Sequence, residues 1–226
     1  MNVPPSDGPT SFAEIAGRLR GLYSAVLCDV LDSLGYRHQA LSYRIRPLFP
    51  AAVAVGKART MLSRPVNRFP EKPYAKELEA LDTLQPDDVI VFDTSEDLTS
   101  AVWGELLSVA SMAKGARGAI IDGLTRDAAK IREAQFPVFA RGISSYDSHG
   151  RSEVIDYDTP ITCDGVKVQT GDVVFGDYDG VIIIPSALVE AVVEKAEQKA
   201  SREKIVEGEF RKGRKVADVF MEHGIL

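Results

Sequence analysis

Between residues 104 and 127 the chain gathers most of the chemistry it can offer. Gly104-Glu-Leu-Leu107 opens a run of small residues that ends at Gly115, an apolar strand Gly118-Ala-Ile-Ile-Asp122 follows, and then comes Gly123-Leu-Thr-Arg126-Asp127. The order helix, strand, helix places two helix starts, one arginine and one carboxylate around a single point. The first N–H groups of a helix have no acceptor within it and suit a carboxylate or phosphate. Arg126 can grip a carboxylate through two parallel hydrogen bonds, and the adjacent Asp127 can hold a hard divalent cation. An anion pocket beside a cation-binding carboxylate is what a 2-oxo acid needs if its enolate is to be stabilised. Taken without their neighbours, the Arg-Asp pair reads as a solvated helix start and Leu106 and Leu107 as core positions.

The elements that must position these groups follow from periodicity and punctuation. Residues 1–10 are polar and Pro-rich and read as a loose arm, with residues 11–226 as a single α/β domain. From Phe12 to Leu34 apolar residues recur at helical spacing, and Gly35 supplies the stop. Val53 to Thr60 reads as a strand, Ser63 to Pro73 as a surface loop, residues 75–83 as a short helix and Asp87 to Phe92 as a buried strand. After Asp127 a helix to Ala134 and a strand from Pro137 to Arg141 continue the alternation. From Val154 to Pro185 the texture becomes short β runs separated by turns. Ser186 is the expected N-cap of the last long helix, which carries Val189, Val192, Val193, Ala196 and Ala200 on one face; a short helix over Val216 to His223 closes the chain. Alternating helices and strands followed by a β-rich stretch predict a layered α/β domain.

Composition narrows the function classes. The net charge is −6 and the Lys and Arg residues are scattered among acids, as in Lys195-Ala-Glu197-Gln-Lys199, so no basic stripe exists for nucleic acid. The longest apolar runs, such as Gly180-Val-Ile-Ile-Ile-Pro185, have the length of strands and do not span a membrane. Cys28 and Cys163 form no CxxC pair and have no neighbouring histidine, which argues against a zinc site and for a reducing compartment. With no signal-peptide pattern at Met1-Asn-Val-Pro-Pro-Ser-Asp7, the expected location is the cytoplasm.

Trp103-Gly-Glu-Leu-Leu107, Gly118-Ala-Ile-Ile-Asp-Gly-Leu-Thr-Arg-Asp127, Phe136-Pro-Val-Phe-Ala-Arg141, Gly171-Asp-Val-Val-Phe-Gly-Asp177 and Asp179-Gly180-Val181 occur in order and with sensible spacing. Together they resemble the RraA-like family, with weaker echoes in Cys28-Asp-Val-Leu-Asp32, Ile45-Arg-Pro-Leu48 and Val55-Gly-Lys-Ala58. The likeness runs from about Leu22 to the C-terminus. That family includes the regulator of ribonuclease activity A and the metal-dependent 4-hydroxy-4-methyl-2-oxoglutarate/4-carboxy-4-hydroxy-2-oxoadipate aldolases. The resemblance implies a layered swivelling β/β/α fold assembled as a homotrimer or hexamer with sites between subunits. It further implies that the backbone around Gly104, Glu105, Leu106 and Leu107 holds the pyruvate carboxylate, that Arg126 binds substrate, and that Asp127 touches Mg2+ or Mn2+ directly. Glu105 would hold a metal-bound water. A glutamate of the last long helix, with Glu203 first and Glu197 next, would reach in from a neighbouring subunit.

The chemistry of such a site is coherent on its own terms. Mg2+ keeps several waters, so one direct carboxylate with acids behind it suffices. Cleavage of a 4-hydroxy-2-oxo acid to pyruvate and decarboxylation of oxaloacetate then pass through the same enolate. One departure stands out: the aldolases carry an acid three positions after the metal aspartate, where Asp127-Ala-Ala-Lys130 has a lysine. The 4-hydroxy-4-methyl-2-oxoglutarate substrate is the part of the implication this weakens, and Ser145-Tyr-Asp-Ser-His-Gly-Arg151 is where His149 or Arg151 could compensate. His149 otherwise reads as a surface histidine in a polar turn, and Asp122 as a turn-capping residue. Two other classes remain: a non-catalytic regulator that binds a ribonuclease or another protein, and a different lyase acting on sugar-acid-derived 2-oxo acids.

Overall fold

The computed structural model describes residues 11–225, so the expected arm over residues 1–10 lies outside the described residues. The elements, in chain order, are α1 (Phe12–Leu19), α2 (Ser24–Ser33), β1 (Arg46–Pro47), β2 (Ala54–Pro65), α3 (Ala75–Asp82), β3 (Asp88–Asp93), β4 (Ala101–Trp103), α4 (Glu105–Ala113), β5 (Gly118–Thr125), α5 (Ala128–Glu133), β6 (Val138–Ile143), β7 (Ser152–Tyr157), β8 (Ile161–Cys163), β9 (Val166–Val168), β10 (Val173–Gly176), β11 (Val181–Ile184), α6 (Val189–Arg211) and α7 (Val216–His223). The main sheet runs β1-β6-β5-β3-β2-β10-β11, with β4 added beside β5 and β7 beside β2. Its centre, β2-β3-β5-β6, is parallel, and β10, β11 and β1 join antiparallel.

Layering follows from where apolar side chains go. On one side, Ile161, Cys163, Val166 and Val168 of the β8-β9 hairpin pack with Ile45, Val91, Ile120 and Phe139. A second cluster joins Val173, Phe175, Ile182 and Ile184 to α1, α2 and α6 through Leu19, Leu27, Leu31, Val192 and Val193. A third packs Ile90, Phe92 and Ile121 against Leu81, Trp103 and Ile131. The result is the expected α/β fold, with a small sheet, a large sheet and helices in layers. No helix among the described residues is long and apolar enough to cross a membrane.

Three local expectations need correction. The apolar period from Phe12 to Leu34 is two helices, because Tyr23 is extended (φ −141°) and Asp177 restarts the helix from across the fold. Its carboxylate accepts from the Ser24 backbone N–H at 2.8 Å and the Ser24 hydroxyl at 2.7 Å. The strand expected to end at Thr60 continues to Pro65, because Ser63, Arg64 and Pro65 pair with β7 beyond a register shift at Leu62/Ser63. Ser186 does not cap α6: a 3-10 turn over Ser186–Leu188 intervenes, and the Ser186 N–H donates to Asp172 at 3.0 Å.

Asp122 has more to do than cap a turn. It is 3% exposed, ion-paired to Arg141 of β6, and accepts the Asp164 N–H at 2.6 Å, while Arg141 also reaches Asp164 at 3.1 Å. The network ties β5 and β6 to the turn of the β8-β9 hairpin. Removing one partner of such a buried pair typically costs about 3–5 kcal/mol, because the other charge is left uncompensated.

Candidate active site

The backbone carbonyl of Trp103 organises the site. It accepts from the Arg126 N–H at 2.9 Å and from the Thr125 hydroxyl at 3.1 Å, which fixes the end of β4 against the end of β5. Trp103 is buried, and its indole N–H donates to Ser108 at 2.9 Å; Ser108 in turn donates to the Gly104 carbonyl at 2.9 Å. These bonds pin the first turn of α4 beside Arg126 and Asp127. A Cβ at position 104 would lie 2.8 Å from Asp127 Oδ2 and 3.3 Å from Arg126 Cγ, so a side chain there would push the Asp127 carboxylate aside.

At the opening of α4 the Glu105 N–H donates to Asp127 Oδ2 at 3.3 Å, while the N–H groups of Leu106 and Leu107 have no acceptor among the described residues. Leu106 is 78% exposed and Leu107 is only partly buried, so the core reading of Leu106 is overturned. Further along the helix Val109 and Met112 are also exposed, leaving an apolar stripe at helical spacing. Gly115 (φ +87°) ends the helix, as its position in the sequence indicates.

The second expected helix start differs from expectation. Asp127 precedes the short α5 in the left-handed conformation (φ 57°, ψ 29°), so Arg126 and Asp127 are not successive helical residues. The left-handed turn is tolerable for Asp and turns its carboxylate back toward α4. Arg126 Nε lies 3.7 Å from Asp127 Oδ2, and Arg126 Nη1 lies 3.5 Å from Asp147 Oδ1. The Glu105 carboxylate is held by Lys130 at 3.0 Å. Glu203 is not at this point within one subunit: it accepts from the Tyr23 hydroxyl and lies 3.5 Å from Lys199, on the α2-α6 side. Glu197 is bound by Arg18 through contacts of 2.9 and 2.6 Å.

Arg126, Asp127, Gly104, Leu106 and Leu107 share an open cleft of about 180 Å³. Its lining also contains a wall of three residues that the sequence did not single out: Tyr74, Glu77 and Asp147. The Tyr74 hydroxyl donates to Asp147 Oδ2 at 3.0 Å, and burial, reinforced by that carboxylate, pushes its pKa up to about 12. Glu77 is 5% exposed and has no hydrogen-bond or ion-pair partner among the described residues. Burial first, and the charge of Asp147 second, push its carboxyl up to about 8. The legible signal was an acid in the apolar stripe of α3, in register with Ala80, Leu81 and Leu84. His149 stands behind this wall, edge-on to Phe69 with centroids 5.1 Å apart, and Arg151 lies over Tyr146 at 5.0 Å. The segment 145–151 therefore reaches the cleft through Asp147 and Ser148.

Among the described residues no group of three or more His, Cys, Asp or Glu side chains gathers to hold a metal ion. A divalent cation would rest on Asp127 as its one direct carboxylate, with the remaining ligands supplied by water or substrate. Mg2+ accepts such a set, so the residues present fit the ion.

The RraA-like family, described as Aldolase/RraA, matches residues 24–183. A protein of Halalkalibacterium halodurans named "Putative 4-hydroxy-4-methyl-2-oxoglutarate aldolase" is 31% identical over 182 residues, which is 80% of this chain and 81% of that protein. Protein DlpA of Legionella pneumophila is 30% identical over 76% of this chain, and the match spans 28% of DlpA's own length. The crystal structure of Streptomyces coelicolor RraAS2, an unusual member of the RNase ES inhibitor RraA protein family, has a TM-score of 0.78 and 27% identity, covering 90% of this chain and 99% of that one.

Proposed function

This chain belongs to the RraA-like family, and from that premise we propose that it is a divalent-metal-dependent aldolase releasing pyruvate from a 4-hydroxy-2-oxo acid, with oxaloacetate decarboxylation at the same site. The observation that carries this reading is the convergence in one cleft of Arg126, Asp127 and the unpaired N–H groups of Leu106 and Leu107. The relative named as an aldolase supports the lyase class.

In this reading the Leu106 and Leu107 N–H groups and the Arg126 guanidinium bind the C1 carboxylate and orient the 2-oxo group toward Asp127. Asp127 would hold Mg2+ or Mn2+, which when bound would supply Lewis acidity for the developing enolate. The C4 hydroxyl gives up its proton, the C3–C4 electron pair passes to the enolate, and the carbonyl half departs. C3 then takes a proton to yield pyruvate; with oxaloacetate, carbon dioxide leaves instead. Glu105 and Glu203 are the two candidate bases. Within one subunit both are engaged, Glu105 by Lys130 at 3.0 Å and Glu203 by Lys199 at 3.5 Å, and Glu203 would have to come from an adjacent subunit. Burial raises the Glu203 pKa, which suits a base. The exposed stripe Leu106, Val109 and Met112 supports the homotrimer or hexamer this requires. We take a small 2-oxo acid as the partner, with no role for nucleic acid or membrane, and the cytoplasm as the location.

The test couples oxaloacetate and a panel of 4-hydroxy-2-oxo acids to lactate dehydrogenase, with and without EDTA. Pyruvate release that disappears with EDTA is the expected result. No metal-dependent pyruvate from any substrate, with no oxalate binding by calorimetry, would leave the non-catalytic regulator in its place.

A further inference from the structure

The end of β5 carries a register change that decides which face of the sheet Arg126 reaches. Against β6, Ile121 lies opposite Ala140 and Leu124 lies opposite Gly142. Asp122 and Gly123 therefore share one partner position, Arg141, which makes a β-bulge of one extra residue. We propose that Arg141, Gly123 and Thr94 are positioning residues that hold this bulge and thereby turn Arg126 toward the cleft. The inference takes from the pyruvate-releasing reading only the role of Arg126 as the carboxylate clamp.

The alternation of side chains is the first argument. Ahead of the bulge, Ile120 packs with the β8-β9 hairpin, and Asp122 accepts the Asp164 N–H in the turn of that hairpin. Ile121 faces the other side, with Trp103 and Leu81. Uninterrupted, this period of two would send Leu124 and Arg126 to the hairpin side. The extra residue reverses it. On β6, Ala140 packs on the Trp103 side, and a Cβ on Gly142, two residues further, would lie 3.1 Å from Leu124 Cδ2. Leu124 has thus crossed to that side, and Arg126, again two residues on, lines the cleft with Trp103 and Gly104. Its backbone N–H then meets the Trp103 carbonyl at 2.9 Å.

The second argument is how the bulge is held. On the hairpin side, the nearly buried Arg141 guanidinium pairs with Asp122 and reaches Asp164 at 3.1 Å. On the backbone, the buried Thr94 hydroxyl donates to the Asp122 carbonyl at 2.5 Å. A Cβ at position 123 would lie 2.6 Å from Thr94 Cγ2 and 2.8 Å from Thr94 Oγ1, so glycine lets Thr94 sit against the bulge.

The test uses the full-length, metal-loaded protein with oxaloacetate. Gly123→Ala should displace Thr94 and raise KM about tenfold with kcat near its wild-type value, because the Arg126 clamp acts in ground and transition states alike. Thr94→Val keeps the shape and loses the donor, and Arg141→Lys keeps the charge and loses the fork; both should shift KM in the same direction. In an Arg126→Ala background none of the three should raise KM further, since the effect runs through Arg126. KM unchanged in the folded single variants, or an equal rise with and without Arg126, overturns the positioning role. A wild type that releases no pyruvate overturns the pyruvate reading instead, and amide hydrogen exchange then tests the bulge without substrate. In the same variants, exchange at the Arg126 N–H should speed up about tenfold or more relative to Ile120 and Ile121, which pair ahead of the bulge. A uniform change at all three amides, or none, overturns the proposal.

Discussion

Lys130 Nζ donates to the Glu105 carboxylate at 3.0 Å across the gap between α5 and α4. The lysine whose position departs from the aldolase pattern thus engages the residue expected to hold a metal-bound water. The pair raises the Lys130 pKa, chiefly through the hydrogen bond to Glu105. Lys130→Ala should release Glu105 toward Asp127 and lower the Mg2+ concentration for half-maximal activity several-fold. Because the pair is largely exposed, the melting temperature should barely move. A metal titration identical to wild type would show that Glu105 takes no part in metal binding.

Asp127 and Arg126 should separate by kinetics. Asp127→Ala should abolish metal-dependent pyruvate release with circular dichroism unchanged, since the carboxylate is solvent-accessible and caps no hydrogen bond stronger than the 3.3 Å contact to Glu105. Arg126→Ala should weaken 2-oxo acid binding by about 1.5–3 kcal/mol, the range for charge-assisted hydrogen bonds. Full activity in Asp127→Ala, insensitive to EDTA, would remove the metal from the mechanism.

Glu77 makes stability depend on pH in a defined direction. Its pKa is about 8 in the folded protein against 4.5 when exposed, so the folded state binds the extra proton between these values. The stabilisation is fully present below about pH 4.5, is lost as pH rises through about 8, and is constant above. Glu77→Gln keeps a neutral side chain of the same shape and should abolish this slope. Urea midpoints at about pH 5, 7 and 9 measure it; parallel wild-type and variant profiles would place Glu77 in contact with solvent or a counter-charge.

Assembly is tested on α4. Val109 is 49% exposed on the apolar stripe and lines no part of the cleft, so Val109→Glu should reduce the oligomer without touching substrate contacts. Light scattering should give a trimer or hexamer for the wild type and smaller species, with lower activity, for the variant. A monomeric, fully active wild type would refute the assignment of Glu203 across a subunit boundary.

Sequence alone determined the strands and helices that carry Gly104 to Asp127, because local punctuation and apolar period decide them: Gly115 stops α4, and Gly118-Ala-Ile-Ile is a buried parallel strand. It also placed Arg126 beside Asp127 in the chain, although their 3.7 Å approach depends on the left-handed turn at Asp127. Tertiary structure decided what those residues face. Tyr74, Glu77 and Asp147 are separated from Arg126 by 21 to 52 positions in the chain and reach the cleft only because α3 and the 145–151 segment close over the ends of β4 and β5. The break at Tyr23 depends likewise on Asp177, which grips Ser24 from the far side of the sheet. Asp122 could be read as a turn cap until its buried bonds to Arg141 and Asp164 appeared. Backbone propensity and burial period act within a few residues, whereas a carboxylate's partner, and so its charge and its role, is set by whatever the chain folds against it.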